Sequence, residues 1–289
     1  RAYYQDWAEN WEFQALLKAH PAAGDLQLGQ DFCDMVAPMV WDAGQRDGFL
    51  QDVRGMRQRV IELIPPKQAA REIKLGAGGL RDTEFSVQLL QLVHGRADER
   101  IRARGTLAAL GELVAAGYVG RADGKELEDA YRFQRVLEHR IQLLMLRRTH
   151  LVPRDAEVLA QVARGMHLDA DELISRWRAS TRAVQQLQQR IFFSPLLDAV
   201  SAIPTEGLQL TPEAANARLR ALGFLDPRSA LGHMQALTRG TTRAAEIQRQ
   251  LMPAMLSWFA DGPNPDFGLL AFRQLSEALG ETNWYLRAL

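Results

Sequence analysis

Residues 74–88 read KLGAGGLRDTEFSVQ. A short run, residues 71–75, leads into Gly76, Gly78 and Gly79, and a helix is expected to open near Leu80 and run to about Val93. Glycines before a helix let the backbone approach another group, because nothing projects from Cα. The helix start adds unpaired N–H donors and a positive dipole end, which suit an anion such as phosphate. At about 100° per residue, Arg81, Glu84, Gln88 and Gln91 fall on one narrow stripe. Phe85, Leu89, Leu92 and Val93 flank it, and Leu80, Val87 and Leu90 fill much of the rest. A helix apolar nearly all round is a buried helix, and charges on it need partners. Two readings of the stripe stand: a structural ion-pair network around a core helix, or the polar lining of a cleft. Two phosphate-binding motifs are excluded. Arg81 stands where the third glycine of a dinucleotide fingerprint belongs, and the Gly-Lys-Ser/Thr ending of a Walker A loop is absent.

Outward from this stretch, helical periodicity dominates. Residues 3–19 predict one helix with Tyr4, Trp7, Ala8, Trp11, Ala15 and Leu16 on a shared face. Asp25 caps the next, with Leu28, Phe32, Met35 and Val36 as its stripe and Pro38 as its kink or end. Residues 49–63 form a third, halted by Pro65 and Pro66. Thr106 caps a helix over 107–115, and Asp123 caps the long stretch 125–148. There Leu127, Ala130, Tyr131, Leu137, Ile141, Leu144 and Met145 make the stripe, with Glu138 at its edge, read as the partner of a neighbouring Arg. A long helix over 169–193 follows. No segment alternates as a strand does, although 71–75 reads as extended. The fold class is therefore all-α: a helical bundle over 1–193, a linker over 194–203, and a second helical module over 204–289. In that module Thr211-Pro212-Glu213 is an N-cap, a first-turn proline and a first-turn acid. Asp226-Pro227 starts a further helix, and another breaks or kinks at Pro253.

Composition narrows the classes. Thirty-five Lys and Arg balance 35 Asp and Glu, so the basic excess of a nucleic-acid groove is missing. No apolar run is long enough to span a membrane. The single Cys33 excludes an internal disulfide framework and fits a reducing, cytoplasmic compartment. Chemistry is sparse. Asp169-Ala-Asp171 leads straight into a helix and reads as a cap rather than a metal pair. His94, His139, His150, His167 and His233 lack metal-ligand spacing and read as solvated or capping residues. No catalytic or metal-ligating residue is assigned.

The segment IKLGAGGLRDTEF (73–85) resembles the signature of the bacterial glutamine synthetase adenylyltransferase/adenylyl-removing family. Further segments agree in order: YYQDWAENWEFQALLKAHPAAGD (3–25), YRFQRVLEHRIQ (131–142), SPLL (194–197), RLRALGF (218–224), IQRQLMP (247–253) and WFADGPNPDFGLLAFRQLSEALG (258–280). The later ones look most like the actinobacterial branch. This resemblance implies an enzyme that transfers AMP to glutamine synthetase and removes it by phosphorolysis. ATP, ADP and phosphate would be its substrates, and PII-type signalling proteins its regulators. It implies that the Mg2+ ligands lie on a sheet upstream of this segment. The present chain would then be the helical wall of the adenylyl-removing half, inactive alone. Lys18, Lys74, Gly76, Gly78, Gly79, Arg81 and Glu84 would face nucleotide or substrate. His20 stands where the family commonly has Arg, and a neutral imidazole does not replace a bidentate guanidinium in binding an anion there. Asp82-Thr83 replaces a more usual Glu-Ile, leaving Arg81 and Glu84 as the retained pair. The missing sheet would cover the Trp7/Trp11 face. The rival class is a non-catalytic helical module that docks a protein partner.

Overall fold

The computed structural model describes residues 1–46, 49–200, 211–240, 242–260 and 262–279. Among them it is all-α. The elements are α1 (Ala2–Asp6), α2 (Asn10–Leu16), α3 (Leu26–Asp42), α4 (Phe49–Glu62), α5 (Pro66–Ala69), α6 (Leu80–His94) and α7 (Thr106–Ala115). They continue as α8 (Arg121–Met145), α9 (Ala156–Arg164), α10 (Ala170–Val200), α11 (Pro212–Ala221), α12 (Pro227–Thr238), α13 (Arg243–Ala260) and α14 (Pro265–Leu279). The extended run 71–75 makes one antiparallel bridge, Glu72 to Leu151.

Helix α6 is the axle. Thirteen of its residues, including Glu84, Gln88 and Gln91, are buried. It packs against α2, α3, α7, α8, α10 and α11. Its first residue, Leu80, belongs to a smaller cluster with Ile73, Leu137, Ile141, Leu173 and Trp177. Its later turns belong to the main core, which continues into Leu219, Phe224, Met234 and Leu256 of α11 to α13. The longest helix, α10, runs along both groups and touches α6, α8, α9, α11, α12 and α13.

Several local expectations are corrected. The single helix over 3–19 is two, because Glu9 takes an extended conformation and starts α2 with a capping box to Glu12. The buried face is Ala8, Phe13 and Leu17, while Trp7 is 77% and Trp11 46% exposed. Helix α3 continues through Pro38 to Asp42, since burial of Val36 and Val40 on either side outweighs one lost backbone bond. Gly105, not Thr106, is the N-cap residue of α7, and Asp123 lies inside the first turn of α8. That helix stops at Met145 because Leu146 turns left-handed at φ 46. Pro195 does not end α10, which reaches Val200, and Pro253 lies within α13. Of the linker expected over 194–203, residues 194–200 belong to α10 instead; residues 201–203, with 204–210 and 280–289 of the expected second module, lie outside the described residues.

Candidate functional site

The glycine segment is fixed from three sides. Ile73 N–H donates to the His150 carbonyl at 2.9 Å and Val152 N–H to the Arg71 carbonyl at 2.9 Å, tying the approach to the chain that follows α8. Gly79 N–H donates to Gly76, Leu80 N–H to Ile73 and Arg81 N–H to Lys74, each at 3.0 Å. Gly78 N–H donates to Asp82 Oδ2 at 2.6 Å. The unpaired amides expected at this helix start are therefore spent inside the loop. Gly78 sits at φ 74, and a Cβ there would lie 2.3 Å from the Thr181 carbonyl of α10. Here glycine serves the close approach of loop to helix. Gln134 of α8 clamps the Gly78 carbonyl at 2.9 Å.

Arg57 of α4 straps the same loop. Its Nε donates to Asp82 Oδ1, and its other two nitrogens donate to the Leu75 and Gly76 carbonyls at 2.9 and 3.0 Å. Asp82 is 2% exposed. The departure from the family pattern at this position is thus a buried, fully partnered carboxylate.

On the opposite side of the loop lies a chain of charges. Glu84 Oε1 accepts from Arg135 at 2.7 Å and from the Tyr131 hydroxyl at 3.1 Å; its other oxygen accepts from Arg81 at 3.1 Å. Arg135 reaches on to Glu138 at 2.6 Å. Glu138, 2% exposed, also accepts from Lys74 Nζ at 3.4 Å and faces His150 Nδ1 at 3.2 Å. Arg135 lies over the Tyr131 ring at 5.1 Å. Lys18, itself exposed, reaches in from the end of α2, its Nζ donating to Thr106 Oγ1 at 3.2 Å, and Thr106 also interacts with the Tyr131 hydroxyl.

The electrostatics follow from this packing. Burial pushes the Glu138 carboxyl up, but Arg135 and Lys74 together outweigh it and hold it below its ordinary value. Burial also raises the Tyr131 hydroxyl, keeping it a donor. Three cations, Lys74, Arg81 and Arg135, surround two carboxylates, and Lys18 adds a fourth charge at the edge.

The structure therefore gathers Lys18, Lys74, Arg81 and Glu84 into one network, while Gly76, Gly78 and Gly79 shape the loop that carries Lys74 to Arg81. Tyr131 and Arg135 join it although the sequence did not mark them as site residues, and His150, expected as a solvated or capping residue, faces Glu138. A signal was present: Tyr131, Arg135 and Glu138 are spaced four and three apart on one helix face. His94 is likewise corrected. It is buried, and its Nε2 accepts from Arg218 Nε at 2.9 Å. Magnesium does not fit here, because both carboxylates are consumed by guanidinium, ammonium and hydroxyl donors. Among the described residues no three His, Cys, Asp or Glu side chains converge on a possible metal position. No described helix is long and apolar enough to cross a membrane.

With this geometry in place, comparison defines the class. The family model described as GlnD PII-uridylyltransferase matches residues 54–192, which takes in Arg57, the glycine loop and the whole of α6 to α9. The match falls on the all-α part of the chain that carries the site. Along its full length the chain is similar to bifunctional glutamine synthetase adenylyltransferase/adenylyl-removing enzymes. It is 58% identical to that of Cutibacterium acnes, 55% to that of Streptomyces avermitilis and 46% to that of Corynebacterium glutamicum. Each match covers 100% of this chain but only 30%, 29% and 28% of the relative. The chain belongs to this family of bifunctional enzymes and spans less than a third of their length.

Proposed function

We propose that this chain forms the helical wall of a glutamine synthetase-modifying nucleotidyltransferase, in the half that removes AMP by phosphorolysis. The observation that carries this reading is the network around Glu84 and Glu138. Two buried carboxylates hold Lys74, Arg81 and Arg135 in fixed positions, with the Arg81 side chain 39%, the Lys74 side chain 22% and the Arg135 side chain 25% exposed. Preorganised cations of this kind suit phosphate oxygens, whether of ATP, ADP or inorganic phosphate. Phosphorolysis brings a phosphate oxygen to the AMP phosphorus while the tyrosine oxygen leaves, giving ADP. The cations would hold the incoming phosphate and offset charge on the transferring group. Mg2+ would be held by carboxylates outside this segment. Glutamine synthetase is the protein substrate in this reading, PII-type proteins are regulators, and the setting is cytoplasmic.

The test is ADP release from adenylylated glutamine synthetase with phosphate and magnesium, in the longer enzyme that carries this segment. Lys74→Ala and Arg81→Ala are expected to lower kcat/KM about 10- to 100-fold, the size of one lost charge-assisted hydrogen bond, with the melting temperature little changed. Unchanged kinetics in both would remove the network from the site.

A second reading has its own observation. Tyr3, Trp7, Trp11, Leu26 and Leu28 are exposed on α1 to α3, the surface of a docking module. Under that reading the variants above would leave the chemistry intact, and Trp7→Ser would weaken association with the partner.

A further inference from the structure

The last turns of α8 and the chain just beyond them are one-sided in charge. Residues 139–154 read HRIQLLMLRRTHLVPR, with four Arg and no Asp or Glu, in a chain whose net charge is zero. Elsewhere on α8 and on α10, exposed cations are paired one helical turn away: Lys125 with Asp129, Arg132 with Glu128 and Arg176 with Glu172. Among the described residues Arg140, Arg147 and Arg148, all exposed, make no hydrogen bond or ion pair. The acids that bracket the stretch are engaged. Glu138 is buried against Arg135 and Lys74, and Asp155 caps α9 through the Glu157 and Val158 amides.

The same stretch exposes apolar side chains. At about 100° per residue Val136, Arg140 and Leu143 share one stripe of α8, opposite Tyr131, Gln134, Glu138 and Ile141, which are buried. Val136 is 45% and Leu143 66% exposed. Leu146, which closes the helix, is 88% exposed and holds a left-handed backbone at φ 46. Glycine is the usual residue at such a helix end, because a side chain is strained there. The fold gains little from a strained leucine whose side chain lies in solvent, and strain of this kind concentrates where a ligand or partner is held.

We propose that the end of α8 docks an acidic amphipathic helix of a protein partner. The partner's apolar side chains lie against Val136, Leu143 and Leu146, and its carboxylates pair with Arg140, Arg147 and Arg148. The make-up of the patch selects this class. Arg140 stands within the apolar stripe, between Val136 and Leu143, where a bilayer would bury its charge and a protein carboxylate can meet it. Residues 136–148 contain no Trp, Tyr or Phe, so nucleic-acid bases have no ring to stack on. The patch does not rest on the phosphate-facing reading of Glu84 and Glu138.

The test is fluorescence anisotropy of a labelled three-heptad helical peptide, with leucine on one face and glutamate on the others, titrated with the 289-residue chain. Its counterpart carries lysine in place of glutamate. The acidic peptide is expected to bind saturably, more weakly as salt rises, and about tenfold or more tightly than the lysine peptide. Arg140→Gln, Arg147→Gln and Arg148→Gln together should weaken it about tenfold, with the fold intact by circular dichroism. Leu146→Gly separates docking from folding. It relieves the left-handed strain, so the melting temperature should hold or rise while affinity falls about threefold or more. Absence of saturable binding, equal binding of the two peptides, or unchanged affinity in the triple variant and in Leu146→Gly would each overturn the proposal. So would binding to phosphatidylserine vesicles or to a single-stranded oligonucleotide in place of the acidic peptide.

Discussion

At the residue scale, Arg218 and His94 carry more than their surroundings suggest. Arg218 is 0% exposed, and it donates to His94 Nε2, to the Ile191 carbonyl at 3.1 Å and to the Tyr118 carbonyl at 2.6 Å. It thereby joins α11 to the end of α6. Burial lowers its own pKa to about 9. His94 stacks on Tyr118 at 4.4 Å, and burial, then Arg218, hold its pKa well below the ordinary histidine value, against the opposing pull of Asp98. The ring must stay neutral to accept from Arg218. As pH falls below about 6.5, the unfolded chain takes up the proton first. Stability from this joint is therefore full above that pH and declines as pH falls towards the folded value. Urea unfolding at pH 8 and pH 5.5 should show the loss, and His94→Gln, which keeps an acceptor but cannot titrate, should reduce it. Arg218→Leu leaves one ring nitrogen and two carbonyls unpaired in the core. It is expected to cost about 3 kcal/mol in the same measurement at pH 8.

At the scale of elements, the glycine loop and α6 behave as one unit because the loop's amides bond within it. Gly78→Ala meets both a left-handed backbone and the Thr181 carbonyl, and should destabilise by about 2 kcal/mol or more in chemical unfolding. Gly55→Ala, in an open helical position, should do the reverse and stabilise by about 1 kcal/mol. The contrast between these glycines is invisible in sequence, where each is a residue without a side chain. What sequence does convey is local chemistry. Asp25, Thr211 and Asp226 cap their helices, because a cap needs only the next few residues. At Pro38, Pro195 and Pro253 the helix continues, an outcome that sequence alone does not decide, since whether a helix survives a proline depends on what packs beside it. Periodicity marked an apolar face over 3–19 but not its orientation, so Trp7 and Trp11 face outward. The stripe on α6 was readable as charges needing partners. The partners, Tyr131 and Arg135, come from α8, about 50 residues away, and only the fold shows that they meet.

At the scale of the molecule, two polar systems flank one buried helix. On one side Arg57 and Asp82 strap the glycine loop; on the other Glu84 and Glu138 hold a set of cations. One core runs through both helical groups, so α6 is braced by the second module through Arg218 and by the first through α8 and α10. In the proposed function, Glu84 and Glu138 position cations for a phosphate-bearing substrate. The most direct measurement is the KM for phosphate in ADP release from adenylylated glutamine synthetase, comparing the longer enzyme with its Lys74→Ala, Arg81→Ala and Lys74→Met variants. KM for phosphate is expected to rise about 10-fold or more in all three, with the protein still folded by circular dichroism. A KM unchanged in all three, with the variants folded, would contradict it and leave the network a structural brace.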